Sequence, residues 1–278
     1  MLVDETSDIS GLEQVSICAR YVNTETMTLC EDFLNFVRTS DLTGAGLSDL
    51  ILSSLRSFGV DVDYLRGQGY DGAAAMSGAF NGVRAHISRL HPLALYTHCT
   101  AHSLNLVVSK ACEVHDIRNC LGVIGKAHAF FSSPKRKHVL SKEIEENSEL
   151  STNIKSLKRN CATRWIERYH SVSDFFELLL PVLESLDSIA TWRDFETSRY
   201  ATILKNSILQ PAFILSVFVL RQLFGIGLTL SKHLQKINTD LKCSLDMASA
   251  AQKELRALRD DAQVQFHKIF LEAQNLGE

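Results

Sequence analysis

Between residues 15 and 22, apolar side chains alternate with mixed ones in Val-Ser-Ile-Cys-Ala-Arg-Tyr-Val, a period of two that predicts a β-strand. Asn23-Thr24-Glu25-Thr26 fits a turn, and residues 29–39 predict a second strand, which closes a hairpin. The period then lengthens. Thr43 can cap a helix whose Leu47, Leu50, Ile51, Leu55 and Phe58 share one face, with Gly59 as its stop. A further strand is expected over 65–70, then a helix holding Val83, Ile87 and Leu90, then a short strand over 93–98. An antiparallel hairpin followed by strands joined through helices predicts an α/β fold with a mixed sheet.

Beyond His102 the pattern is helical almost throughout, with helices expected over 103–112 and 117–131 and a third opened by Pro134. Residues 147–160 are polar and read as a loop; 165–189 reads as one helix kinked at Pro181. The stretch 208–230 is apolar enough to raise the question of a membrane span. Arg221 near its middle costs about 2.5–3.5 kcal/mol on insertion scales, and Pro211, Gly225 and Gly227 are expected to interrupt it. A buried helix or helix pair is therefore the expectation, with no membrane partner. Leu241, Leu245, Ala248, Leu255, Leu258, Ala262, Phe266 and Ile269 mark an apolar stripe on a single long final helix.

At 278 residues and 45% hydrophobic composition the chain can bury one large core or two moderate ones. Its seven cysteines are scattered without framework spacing and no signal peptide opens the chain, which predicts reduced thiols in the nucleus or cytoplasm. The formal charge of −3 conceals a gradient: −8 over residues 1–71, +3 over 72–131, +4 over 132–170 and −2 over 171–278. That balance argues against a strongly basic free-standing nucleic-acid binder and leaves room for a local basic face at 132–170.

Candidate chemistry begins at Gly67-Gln-Gly-Tyr-Asp71-Gly-Ala-Ala-Ala-Met-Ser-Gly78. A short extended run ends in a carboxylate, and small residues behind it let a helix start close to the strand. Asp71 is thereby placed at the carboxyl edge of a sheet, where open α/β folds hold ligands. A lone Asp-Gly is also a common turn, but Asp4-Glu5-Thr6-Ser7-Asp8 opens another strand-like run. Strands lie about 4.8 Å apart, so Asp4 and Asp71 on neighbouring ends could share Mg²⁺ or Mn²⁺. Cys99 and His102 lack a second pair at matching spacing, so structural zinc is not expected. No complete glycine-rich nucleotide loop is present, and no small-molecule substrate is indicated. Arg164-Trp165 could stack on an unpaired base, although such a Trp also commonly anchors a helix start.

Five segments in order resemble hAT-superfamily transposases, especially the transposase-derived part of host proteins bearing MYM-type or THAP zinc fingers. They are Asp4-Glu-Thr-Ser-Asp-Ile-Ser10, Glu13-Gln-Val-Ser-Ile-Cys-Ala-Arg-Tyr-Val22, Gly67 to Gly78, Cys99-Thr-Ala-His-Ser-Leu-Asn-Leu106 and Thr163-Arg-Trp165. The resemblance implies a ribonuclease H-like mixed sheet interrupted or followed by an all-α insertion: a partial core over 1–132, a connecting basic segment over 133–190 and a truncated helical region over 191–278. It implies Asp4 and Asp71 as the first two acids of a metal-dependent DNA transposase. Cys99, His102, Arg164 and Trp165 would be the residues near the DNA.

The third acid is unassigned, because Glu254, Glu272 and Glu278 sit in no matching context. The chain is accordingly expected to be a domesticated or decayed fragment, nuclear, with DNA as a candidate partner and incomplete catalysis. A protein-interaction module, with a protein partner or a second copy on the helical stripe, is the competing expectation.

Overall fold

The computed structural model describes residues 1–7, 10–147, 154–161 and 165–275. Two compact units are formed, the first from 1–104 with 235–239, the second from 105–234 with 240–278.

The first unit runs β1 (Leu2–Ser7), β2 (Glu13–Asn23), β3 (Thr28–Arg38), α1 (Gly44–Ser57), a 3-10 turn (Val62–Tyr64), β4 (Gly67–Tyr70), α2 (Ala74–Ser77), α3 (Val83–Leu90) and β5 (Leu95–His98). Five strands form one sheet in the order β3-β2-β1-β4-β5. β1, β2 and β3 pair antiparallel, whereas β1–β4 and β4–β5 are parallel. This is the mixed, ribonuclease H-like sheet, followed by an all-helical region.

Local chemistry accounts for the boundaries. Asn23 Oδ1 accepts from the Glu25 and Thr26 amides and closes the hairpin. Thr43 caps α1 by accepting from the Gly46 amide, worth about 1 kcal/mol. Gly59 follows at φ +78°, a conformation that side chains disfavour. Between Ile17 and Cys18 the β2–β3 register slips by one residue, so that Leu34 is the extra residue of a bulge.

Strand alternation sorts the sheet into two faces. Val3, Val15, Ile17 and Tyr70 face α1 and α3, where Leu47, Ile51, Leu55, Val83 and Ile87 complete the core. Inside it Gln68, only 1% exposed, donates to Ser88 Oγ and the Ala94 carbonyl and accepts from the Tyr70 hydroxyl at 3.0 Å. The opposite face carries Leu2, Asp4, Ser16, Cys18 and Gly69 by register. There Phe33 and Phe36 touch at 4.9 Å while both stay more than half exposed.

The second unit is helical: α4 (Thr100–Ala111, which starts in the first unit), α5 (His115–Phe131), α6 (Pro134–Glu146), α7 (Trp165–Glu177), α8 (Leu179–Ala190), α9 (Phe195–Ile208), α10 (Pro211–Leu234), α11 (Leu241–Asp260) and α12 (Ala262–Asn275). Its core gathers Ile124, Ala127, Phe175, Leu178, Val182, Leu186, Leu204, Phe213 and Val217.

Three helical expectations are corrected. The helix expected over 165–189 is two helices that meet at Leu178. Pro181 has no amide to offer the carbonyl four residues back and its ring crowds that carbonyl, so the chain breaks before it. Gly225 and Gly227 do not interrupt α10, which runs 24 residues unbroken; packing outweighs the cost of about 1 kcal/mol per helical glycine. The long final helix is likewise two helices, broken at Asp261.

By length and composition α10 could cross a membrane. Here Phe213, Val217, Leu220 and Phe224 lie in the helical core. Arg221 lies over the Phe176 ring and donates to Glu177 at 3.0 Å.

Replacing Gln68 with Met keeps volume but leaves the Tyr70 hydroxyl and the Ala94 carbonyl without their buried partner. The expected loss is about 2–4 kcal/mol, read as a fall in hydrogen-exchange protection of the β4 and β5 amides. A loss under about 0.5 kcal/mol would contradict the role given to this network.

Candidate functional site at the carboxyl edge of the parallel strands

β1, β4 and β5 are parallel, so their carboxyl ends lie along one edge of the sheet. β1 and β4 pair at Leu2↔Gly69; Asp4 lies two residues further along β1, and Asp71 follows the last residue of β4, Tyr70. At Gly69 an added Cβ would fall 2.7 Å from Leu2 Cδ2, the tip of a side chain that can shift.

Asp71 is only partly buried, and its turn is built around it. Its Oδ1 accepts from the Ala73 amide at 3.0 Å, and its carbonyl accepts from the Tyr96 hydroxyl at 3.4 Å. That Asx turn ends β4 and starts α2, whose single helical turn stops at Gly78 before α3 begins. Asp4 is exposed at the rim, its carbonyl accepting from Ser16 Oγ.

Sequence reasoning named the cluster 4–8 but assigned no role to Glu5, which the structure brings to the same edge. Burial pushes its carboxyl pKa up, and the charges of Asp71, Glu13 and Asp4 push it further in that order. Glu5 Oε1 is buried without a hydrogen-bond partner among the described residues. The available signal was the position itself: an acid next to Asp4 in a strand takes the opposite face, which here is the core side.

On β5, His98 Nδ1 and the Tyr96 hydroxyl are 3.0 Å apart, and the His98 and His102 rings lie 6.2 Å apart. Both imidazoles close over Gly72: a Cβ there would meet His98 Cε1 at 2.9 Å and His102 Cδ2 at 4.0 Å. Cys99, exposed, follows β5 and its amide extends the ladder to the Tyr70 carbonyl at 2.9 Å. Cys99 and His102 thus lie at the same sheet edge as Asp71. Arg164 falls outside the described residues. Trp165 opens α7 in the other unit, and its side chain is also outside the described set.

The donors at the edge are hard carboxylate oxygens crowded by like charge, which suits Mg²⁺ or Mn²⁺. Among the described residues, however, no three His, Cys, Asp or Glu side chains converge to hold a metal. The described residues therefore do not fit a closed three-ligand centre.

An α/β unit of RNase-like type with acids on its parallel edge agrees with what comparison finds. Residues 1–82 match the family DUF4371, described as "ZMYM1/FAM200, RNase-like domain". The whole chain is 25% identical to the human protein named "52 kDa repressor of the inhibitor of the protein kinase", and 25% identical to its Mus musculus counterpart. The chain spans 37% of the length of each of these relatives.

Because the folded pKa of Glu5 lies above its unfolded value, ionising it opposes folding. The penalty is absent below the unfolded pKa of roughly 4.3 and grows as pH rises through the folded value. Glu5→Gln should therefore raise the melting temperature of the α/β unit at neutral pH, by less than about 1 kcal/mol equivalent after solvent screening. The gain should vanish in acid below the unfolded pKa. A gain that persists in acid would show that the carboxylate repulsion is not its source.

Proposed function

We propose that the chain is a transposase-derived nucleic-acid-handling domain of hAT ancestry, working in the nucleus without a complete catalytic centre. The observation that carries this reading is the parallel pairing of β1 with β4 at Leu2↔Gly69, which supports a shared role for Asp4 on β1 and Asp71 just after β4. The RNase-like family match over 1–82 supports the fold ancestry, and the five ordered segments from Asp4 to Trp165 support hAT in particular.

In this reading Asp4 and Asp71 would hold a divalent cation, with Glu5 as the charge behind them. Bound there, such an ion supplies neutralising charge for a phosphodiester. His98 and His102 stand at the same edge as groups able to donate to phosphate oxygens, and the Asx turn of Asp71 fixes its carboxylate. Two ligands hold such an ion weakly, and strand transfer needs an intact ligand set. The domain therefore engages nucleic acid without completing cleavage and joining. The relatives carry the word repressor in their names, which accords with nucleic-acid or regulatory work in the nucleus rather than with transposition.

A second reading, a protein-interaction module that pairs with a second copy of itself, is favoured by α11 and α12. Leu241, Leu245, Leu255 and Phe266 remain exposed, Leu241 by 74%. A groove of about 530 Å³ opens between α10 and α11 beside Met247, Ala250 and Leu258. Uncovered apolar surface of this kind marks interaction sites.

Two measurements test these readings. Calorimetric titration with Mn²⁺ should show weak binding, lost in Asp71→Asn, and purified chain should leave plasmid DNA uncut in Mn²⁺. Cleavage that Asp71→Asn abolishes would overturn the incomplete-site reading, and tight Mn²⁺ binding retained in Asp71→Asn would remove Asp71 from the site. In sedimentation the chain should associate through the stripe, and Leu245→Glu/Phe266→Glu should return it to monomer; a parent that stays monomeric at all concentrations contradicts the second reading.

A further inference from the structure

Residues 154–161 of the second unit form neither helix nor strand, yet they are held tightly. Leu157 is buried in the helical core. Asn160 Nδ2 donates to the Leu121 carbonyl at 3.1 Å, Ser171 Oγ donates to the Lys158 carbonyl at 3.1 Å, and Arg168 Nε donates to the Cys161 carbonyl at 3.4 Å. Pinning an irregular segment opposes its backbone entropy, about 1–2 kcal/mol per residue. The segment so fixed carries Lys155, Lys158 and Arg159, all exposed.

Neighbouring helices add to the same positive region. His128 on α5 has its pKa lowered by burial and then by Arg159. His170 on α7 has its pKa lowered by burial, by Lys158 and by Lys232 of α10, with only Asp174 opposing. Asp174 is itself buried and engages Lys158 at 3.0 Å from below. Lys155, Arg159 and Lys232 enter no ion pair among the described residues.

From this placement we propose that the pinned segment 154–161, with Lys232, is a docking surface for the phosphodiester backbone of nucleic acid. The partner follows from what lies beside the cations. Protein interfaces need apolar anchors at their centre, but of the apolar side chains here Leu157 and Val172 are buried and Ile154 is half-buried against the helical core. A phosphate backbone needs only positioned cations, and their fixed mounting reduces the ordering cost of binding. A surface of this kind extends the nucleic-acid reading given above and needs neither Asp4 nor Asp71, whose part is tested separately by the Mn²⁺ titration.

Fluorescence anisotropy of the full chain with a labelled DNA duplex, at roughly 50 and 200 mM salt, tests it. K155E/R159E should weaken binding at least about tenfold at the lower salt and reduce the salt slope by about two. K155Q/R159Q should give an intermediate loss, and circular dichroism should show both variants folded because both side chains are exposed. Lys253→Glu/Arg256→Glu, the same charge change on exposed α11, should stay within about twofold of the parent. Equal loss in the α11 variant would show general charge attraction and overturn the assignment. So would parent-like binding by K155E/R159E, no binding by the parent, or competition by polyglutamate as effective as unlabelled duplex at equal charge.

Discussion

The close passage of β1 past β4 is the constraint on which the α/β unit depends. Gly69 donates its amide to the Met1 carbonyl at 3.0 Å, and the space a side chain would fill there is taken by Leu2. That approach joins an antiparallel hairpin to a parallel pair in one sheet. It also fixes which residues end up together, because a slip of one residue would carry Asp4 to the other face. Gly72 repeats the device one turn later, where two imidazoles occupy the space beside the chain.

Like charges held close act on each other before any ligand arrives. At the sheet edge the repulsion appears in Glu5, whose carboxyl is pushed toward its neutral form by burial and by Asp71, Glu13 and Asp4. In the helical unit the opposite sign prevails, with His128 and His170 held toward neutrality by burial and nearby Lys and Arg. A formal charge of −3 therefore averages two local fields of opposite sign. Each would be relieved by a ligand of complementary charge, a cation at the acids or a phosphate at the bases.

The helical unit is organised around α10, whose length and apolarity resemble a membrane span until its partners are seen. Phe213, Val217, Leu220 and Phe224 enter the core with α5 and α7, and Arg221 reaches the half-exposed rim at Glu177. On the other side α11 and α12 rest on it incompletely. Leu258 and Ile269 line the open grooves against α10, whereas Leu241 and Leu245 face away, exposed. An amphipathic pair that is half covered is suited to carry a further contact.

The sequence alone determined the element types. Alternation at 15–22 made a strand, helical spacing from Leu47 to Phe58 made a helix, and Thr43 and Gly59 marked its ends. Those signals are local, set by neighbours within one turn or one pleat. The expectation that Asp4 and Asp71 act together came from motif order, whereas the parallel pairing of β1 with β4 is tertiary. Helix breaks were unevenly legible: Pro181 signals the break at Leu178, whereas Asp261 interrupts a stretch whose apolar period continues, because that break is decided by where each face must pack. The role of Glu5, and the pinning of segment 154–161 within the basic stretch 132–170, escaped sequence reasoning for the same reason. The placement of Glu5 comes from β4 lying beside β1, and that of Lys158 and Arg159 from hydrogen bonds to α5 and α7. Periodicity reports which side chains one element buries; which charges then face one another depends on elements distant in sequence, and only the tertiary structure decided that.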